Sequence, residues 1–150
     1  MMVSIDDFKV KKDIEIEWGD MDAFQHVNNT RYFKYFENVR VHYGEMIGLR
    51  RHMEQSGIGP ILAWTDCRFI RPVTFPDTIT VGARTLSVQG SEMKIDYAVY
   101  SRARGEIAAV GASIGVYYDY RNLKRVDIPE DIISEIEKIE GRKAPRTHTM

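Results

Sequence analysis

The stretch Trp18-Gly-Asp-Met-Asp-Ala-Phe-Gln-His-Val-Asn-Asn29 constrains this chain more than any other, because it joins two elements of different period. Before it, Phe8, Val10, Ile14, Ile16 and Trp18 share one face. Lys11, Asp13, Glu15 and Glu17 share the other, and only Lys12 interrupts the alternation. Period two predicts a half-buried strand. After it, Tyr32, Tyr35, Phe36, Val39, Tyr43, Met46 and Ile47 form one apolar stripe at helical spacing, with Arg31, Lys34, Glu37 and Arg40 on other faces. Asn28, Asn29 and Thr30 are all good N-cap types, and Gly48 predicts the helix stop. The turn therefore delivers two acids, a histidine and two asparagines to a helix N-terminus. Unpaired N–H groups and the positive end of the helix dipole gather there.

The remainder reads as strands and one short helix. Gly57-Ile-Gly-Pro60 predicts a break, and Ile61 to Arg71 a strand, with turns at Pro72 and Pro76-Asp77. Thr78 to Val88 places Ile79, Val81 and Ala83 on one face. The phase then slips to Leu86 and Val88, which predicts a bulge near Arg84 or Thr85. Met93, Ile95, Tyr97 and Val99 alternate with polar neighbours between tight turns at Gln89-Gly-Ser91 and Arg104-Gly105. Ile107 to Tyr118 is apolar or small on both faces, as a central strand would be, and its Ala and Gly residues would let a helix backbone approach. Pro129 opens a short helix that buries Ile132, Ile133, Ile136 and Ile139. The order is strand, long helix, four strands, short helix. It predicts an α+β chain with one antiparallel sheet and one principal helix.

Composition narrows the setting. A chain of 150 residues, 43% hydrophobic and 29% charged, suits one globular domain. That domain is expected over 1–141, with a basic, disordered tail over 142–150. A net charge of −1 gives no bulk attraction to nucleic acid or membrane. One cysteine excludes an intramolecular disulfide. The N-terminus has no basic or apolar signal segment, and the apolar run Ile107 to Tyr118 is too short to span a bilayer. The expectation is a cytoplasmic protein.

Asp20-x-Asp22-x-x-x-His26-Val27-Asn28-Asn29-x-x-Tyr32, in front of an aromatic-rich helix, resembles the 4-hydroxybenzoyl-CoA thioesterase-like branch of the hotdog-fold acyl-CoA thioesterases. Arg68 to Ile79 fits the strand–turn–strand that follows the helix in that family, and the resemblance spans roughly Asp13 to Tyr120. It implies a hotdog fold, an antiparallel sheet wrapped around one long central helix. It also implies a homodimer joined at sheet edges, or a homotetramer, and hydrolysis of an acyl-CoA to carboxylic acid and CoA. Neither cofactor nor metal is implied, since CoA is part of the substrate. By resemblance Asp22 is the catalytic carboxylate, acting as general base on water or as nucleophile through an anhydride. The N–H of Asn29 or Thr30 would hold the oxyanion. His26 would orient water or hold Asp22, and Asn28 would cap the helix or position a water. Asp20 is expected to hydrogen-bond the turn. The turn residues Ala23-Phe-Gln25 are bulkier than the Gly-Gly or Pro-Ala-Gly of some relatives, which implies a differently shaped acyl entrance.

Arg84, Arg102 and Arg104 are candidates for the CoA phosphates, against the plainer reading of solvated surface arginines. Tyr35, Phe36, Val39 and Tyr43 are core residues first, and some would also line an acyl tunnel at the subunit interface. Gly111-Ala-Ser-Ile-Gly115 matches the nucleophile elbow of α/β-hydrolases. That elbow needs a strand-to-helix turn, and Ser113 sits inside a strand. Asp20-x-Asp22 lacks the residues that follow the aspartate nucleophile of haloacid-dehalogenase phosphatases. Asp20, Asp22 and His26 in one turn are a poor metal set without helical or paired-cysteine ligands. Cys67 reads as a small buried hydrophobe. Three alternatives stay open: hydrolysis of acyl-carrier-protein thioesters, a non-catalytic acyl-CoA-binding hotdog protein, and a hotdog hydratase.

Overall fold

The computed structural model describes residues 3–145. After a 3-10 turn at Ile5–Asp7 come β1 (Val10–Glu15), a second 3-10 turn (Trp18–Asp20) and the long helix α1 (Asn29–Met46). A short helix, α2 (Leu49–Ser56), precedes β2 (Ile58–Phe69), β3 (Thr78–Gln89), β4 (Glu92–Ser101), β5 (Glu106–Asp119), the two-residue β6 (Lys124–Arg125) and α3 (Glu130–Glu140). The strands run antiparallel in the order β1-β3-β4-β5-β2, and β6 pairs with β5 beyond the start of β4. α1 lies across the sheet and buries Tyr32, Tyr35, Phe36, Val39 and Tyr43 against Ile79, Val81, Tyr97, Val99 and Ala109. This is the hotdog arrangement. Each such side chain contributes about 1.5–3 kcal/mol of burial. No helix among the described residues is long and apolar enough to cross a membrane.

Several sequence expectations shift. Trp18 leaves the strand face and is 70% exposed. β1 ends at Glu15, and the Asp20 carboxylate accepts the Glu17 N–H at 2.8 Å, which rotates the Trp18–Asp20 turn away from the strand's alternation. Met46 is 47% exposed because α1 ends there. Gly48 then takes φ 85°, a left-handed value that suits glycine, and starts α2. β2 begins right after Gly57, so Ile58, Gly59 and Pro60 are already strand; Pro60 is tolerated because β2 is an edge. The inward face of β3 continues to Thr85, and the bulge falls between Thr85 and Ser87, one step later than the pattern predicts. On β5, Gly111 is approached by the Phe36 ring and the Asp66 carbonyl rather than by helix backbone. In α3, Ile132, Ile133 and Ile136 are buried and Ile139 is half-buried.

The C-terminal stretch divides. The Arg142 guanidinium donates to the Thr85 carbonyl at 3.0 Å, and the Val88 N–H donates to the Pro145 carbonyl at 3.0 Å. Residues 146–150 of the tail expected to be disordered lie outside the described residues.

Candidate active site

The Asp22 turn is a small hairpin. The Asn28 N–H donates to the Asp20 carbonyl at 2.9 Å, Met21 and Val27 form an antiparallel bridge, and the Asp22 N–H donates to the His26 carbonyl at 2.8 Å. Gln25 takes φ 68° to close the tip. The Val27 N–H donates to the Val73 carbonyl at 2.8 Å, and the buried Val27 side chain ties the hairpin to the core. The ladder puts Asp20 against Asn28, at the start of α1, and Asp22 two residue pairs nearer the tip. Asp22, His26, Asn29 and Thr30 are all exposed, and Phe24 beside them is 83% exposed.

The two acids are used differently. One Asp22 oxygen accepts the Phe24 N–H at 2.9 Å, an Asx turn that fixes the carboxylate and leaves its second oxygen without a hydrogen bond among the described residues. Asp20 closes the 3-10 turn and faces Arg31 Nε at 3.5 Å. The Tyr35 hydroxyl is buried beside Asp20 without a hydrogen bond of good geometry. Burial first, and the Asp20 charge second, push its phenol above the ordinary range. His26 meets Asp22 through its backbone carbonyl; its ring has no hydrogen bond among the described residues. Asn28 is the N-cap. Its side-chain oxygen accepts both the N–H and the hydroxyl of Thr30, each at 2.9 Å. The cap therefore occupies the Thr30 N–H, and the Asn29 N–H is the open donor of the pair.

The three arginines separate. Arg102 and Arg104 lie in the β4–β5 turn rather than on a strand face. Arg102 pairs with Asp13 at 2.6 Å and lines an open hollow of about 520 Å³ with Phe75 and Asp77. The Phe75 N–H reaches Met21 Sδ at 3.5 Å, so this hollow adjoins the Asp22 hairpin. Arg84 lies apart on β3, stacked 4.6 Å above the Phe8 ring and paired with Asp96 at 3.3 Å. Ser113 is fully buried, its hydroxyl 2.7 Å from that of Tyr97. Cys67 is half-buried on β2, and burial pushes its thiol up to about 12. Among the described residues no cluster of three or more His, Cys, Asp or Glu could hold a metal.

A second feature is legible only in three dimensions. At the opposite end of α1, Tyr43, Leu49, Met53, Leu62, Met93 and Gly115 line a cleft of about 480 Å³ between α1, α2 and the sheet. The signal for it in the sequence is Gly115, one of two glycines inside the central strand β5.

The chain is similar to known proteins. Residues 16–136 match the family model described as the thioesterase-like superfamily. A thioesterase from Thermus thermophilus, solved in complex with coenzyme A and zinc, superposes with a TM-score of 0.79 at 27% identity, covering 90% of this chain and 96% of that one. The long-chain acyl-CoA thioesterase FadM of Escherichia coli (strain K12) is 20% identical over 126 residues, 84% of this chain and 96% of its own. YsmA of Bacillus subtilis (strain 168) is 25% identical over 113 residues, 75% of each chain.

Proposed function

The chain belongs to the thioesterase-like superfamily, and we propose that it hydrolyses acyl-CoA thioesters to a free carboxylic acid and coenzyme A. The observation that carries this reading is the hairpin that sets Asp22 just ahead of α1, whose Asn29 N–H is open. Relatives lend it the substrate class: one is a thioesterase seen with coenzyme A, another a long-chain acyl-CoA thioesterase.

Water attacks the carbonyl carbon while Asp22 takes its proton. The carbonyl electrons move to oxygen, which the Asn29 N–H and the positive end of α1 stabilise. The tetrahedral intermediate then collapses, the C–S bond breaks, and the CoA thiolate leaves with the proton from Asp22. In the alternative route Asp22 itself attacks, the thiolate departs, and water hydrolyses the resulting anhydride. Arg102 and Arg104, at this end of the sheet, would meet the CoA phosphates.

A second copy completes the site. β2 is an unpaired edge with consecutive apolar residues; Leu62 is 45% exposed and Trp64 47%. Such an edge calls for a cover. Two β2 edges paired antiparallel about a two-fold axis bring the Ile58 end of one to the Phe69 end of the other. Tyr32 at the start of α1 packs on Phe69, with ring centroids 5.0 Å apart. α1 is 18 residues, about 27 Å at 1.5 Å per residue. Within one protomer that length separates Asp22 from the cleft, and in the dimer the cleft of one copy faces the Asp22 end of its partner.

The test is thiol release from short, medium, long and aromatic acyl-CoAs, with wild type beside Asp22→Asn. Turnover that falls about 10²-fold or more in the variant is the expected result. Turnover that survives the change moves the catalytic centre elsewhere. A wild type inert on every acyl-CoA overturns the reading and points to carrier-protein thioesters or to binding alone.

A further inference from the structure

The inner face of β5 carries Gly111, Ser113, Gly115 and Tyr117 in turn, and three of these positions are filled. A Cβ at Gly111 would strike the Phe36 ring at 2.6 Å. The Ser113 hydroxyl meets that of Tyr97, and the Tyr117 hydroxyl meets His52 Nδ1 at 3.1 Å. Gly115 differs, because a Cβ there has no atom within 4 Å. A glycine inside a strand weakens it by entropy and packs nothing. Here it opens the floor of the cleft. A smaller hollow shares Leu49, Pro60, Met93 and Gly115 with the cleft and continues it to Tyr117.

The lining states what fits. Apart from the Tyr43 ring, its apolar members are aliphatic or methionine, and methionine adapts to an irregular chain. Its polar members are already engaged. Arg40 donates to the Tyr97 hydroxyl at 3.2 Å, Arg50 Nε donates to Glu45 at 3.0 Å, and the Tyr43 hydroxyl donates to Glu140 at 2.6 Å. Each of these polar side chains is thus tied to another residue of the chain. If a methylene takes the ~30 Å³ of a liquid water, a cleft of about 480 Å³ holds on the order of 16 carbons.

We infer that the cleft holds a linear acyl chain of medium to long length, and that Gly115 sets how long a chain is accepted. This rests on the thioester-hydrolase reading above. A side chain at position 115 projects into the path of the acyl tail, and its size dictates where the tail must stop. The residue determines specificity and takes no part in bond breaking.

The experiment is thiol release from butyryl-, octanoyl-, dodecanoyl- and hexadecanoyl-CoA by wild type, Gly115→Ala, Gly115→Val and Gly115→Leu, each checked for molar mass and melting temperature. The expected readout is the ratio of kcat/KM for dodecanoyl- over butyryl-CoA. It should fall in the order Ala, Val, Leu, reaching at least about tenfold for Leu, the loss of roughly two buried methylenes. The fall should sit in KM. An unchanged ratio in folded variants overturns the inference. So does a loss equal for both substrates, which would make Gly115 merely structural. A change in molar mass with an unchanged ratio would assign the cleft to side chains of the second copy. If wild type hydrolyses none of the four, the hydrolase reading fails by itself. Calorimetric binding of dodecanoyl- against butyryl-CoA to the same variants then decides the cleft: a chain-length preference lost in Leu upholds it, and none overturns it.

Discussion

The two halves of α1 meet the sheet in different ways. The N-terminal half is packed with rings. Phe36 is fully buried and stacks on Tyr97 with centroids 4.6 Å apart and planes 11° apart, while Tyr32 meets Phe69 edge-on. The C-terminal half also buries Val39 and Tyr43, but its Arg40–Glu45 flank borders the cleft, and polar contacts add to its packing. The Tyr43 hydroxyl joins Thr85 at 2.8 Å and Glu140 at 2.6 Å, and His52 of α2 joins Tyr117 of β5 and Asp131 of α3. A ring-packed interface is close to crystal density and leaves no space for a ligand. Directional polar bonds fix elements at a distance without filling the gap between them. The packed half therefore sets the register of the Asp22 hairpin, and the open half borders the cleft proposed for the acyl chain.

The contrast is broken most directly at Phe36. Phe36→Ala should cost about 3–5 kcal/mol, as ring deletions in packed cores do. Leu49→Ala, on the cleft wall, should cost far less, because Leu49 is only partly buried. Urea unfolding of both variants checks this, and equal losses would mean that the two halves are packed alike. Next in size is the glycine pair of β5. A Cβ at Gly111 would lie 2.5 Å from the Asp66 carbonyl oxygen, so Gly111→Ala should lose roughly 1–3 kcal/mol to overpacking. Gly115→Ala should instead gain about 0.5–1 kcal/mol by restricting the unfolded chain. Opposite signs at two positions on one strand face would place the boundary between the halves; a loss at both would mean that the cleft closes in solution.

The packed half was readable from the sequence, and the open half was not. The stripe from Tyr32 to Tyr43 specifies its own burial, since helical period and ring size leave one way to cover it. The turn motif located Asp22 in a turn just ahead of a helix N-terminus because residue type and spacing carry that information locally. Distinguishing the Asn29 and Thr30 amides required knowing that Asn28 is the cap, and three consecutive capping residues leave that choice to geometry. Trp18 was misplaced because alternation continues on paper past the point where Asp20 turns the chain. α2 escaped notice because Leu-Arg-Arg-His-Met-Glu-Gln-Ser has only Leu49 and Met53 as an apolar pair, too little for a stripe. The cleft itself is a difference between surfaces contributed by α1, α2, β2, β4 and β5, and no linear pattern records a space.

The smallest effect belongs to the polar hinge of the open half. His52 Nε2 lies 2.9 Å from Asp131 on α3, and this hydrogen bond holds the Asp131 carboxyl below its ordinary 3.8. A carboxylate with a depressed native pKa binds fewer protons folded than unfolded. Its contribution is fully present above the unfolded pKa and is lost as pH falls through the native one. The pair is solvent-exposed at Asp131, so screening keeps the contribution modest. Asp131→Asn should therefore lower the urea midpoint slightly at pH 7, and the gap to wild type should close as the pH drops below about 4. Phe36→Ala offers the control, since a packing defect does not titrate and its gap should persist across the same range. A gap for Asp131→Asn that stays constant through acid would show that α2 is seated by packing after all, and the open half would then differ from the packed half in its space but not in what holds it.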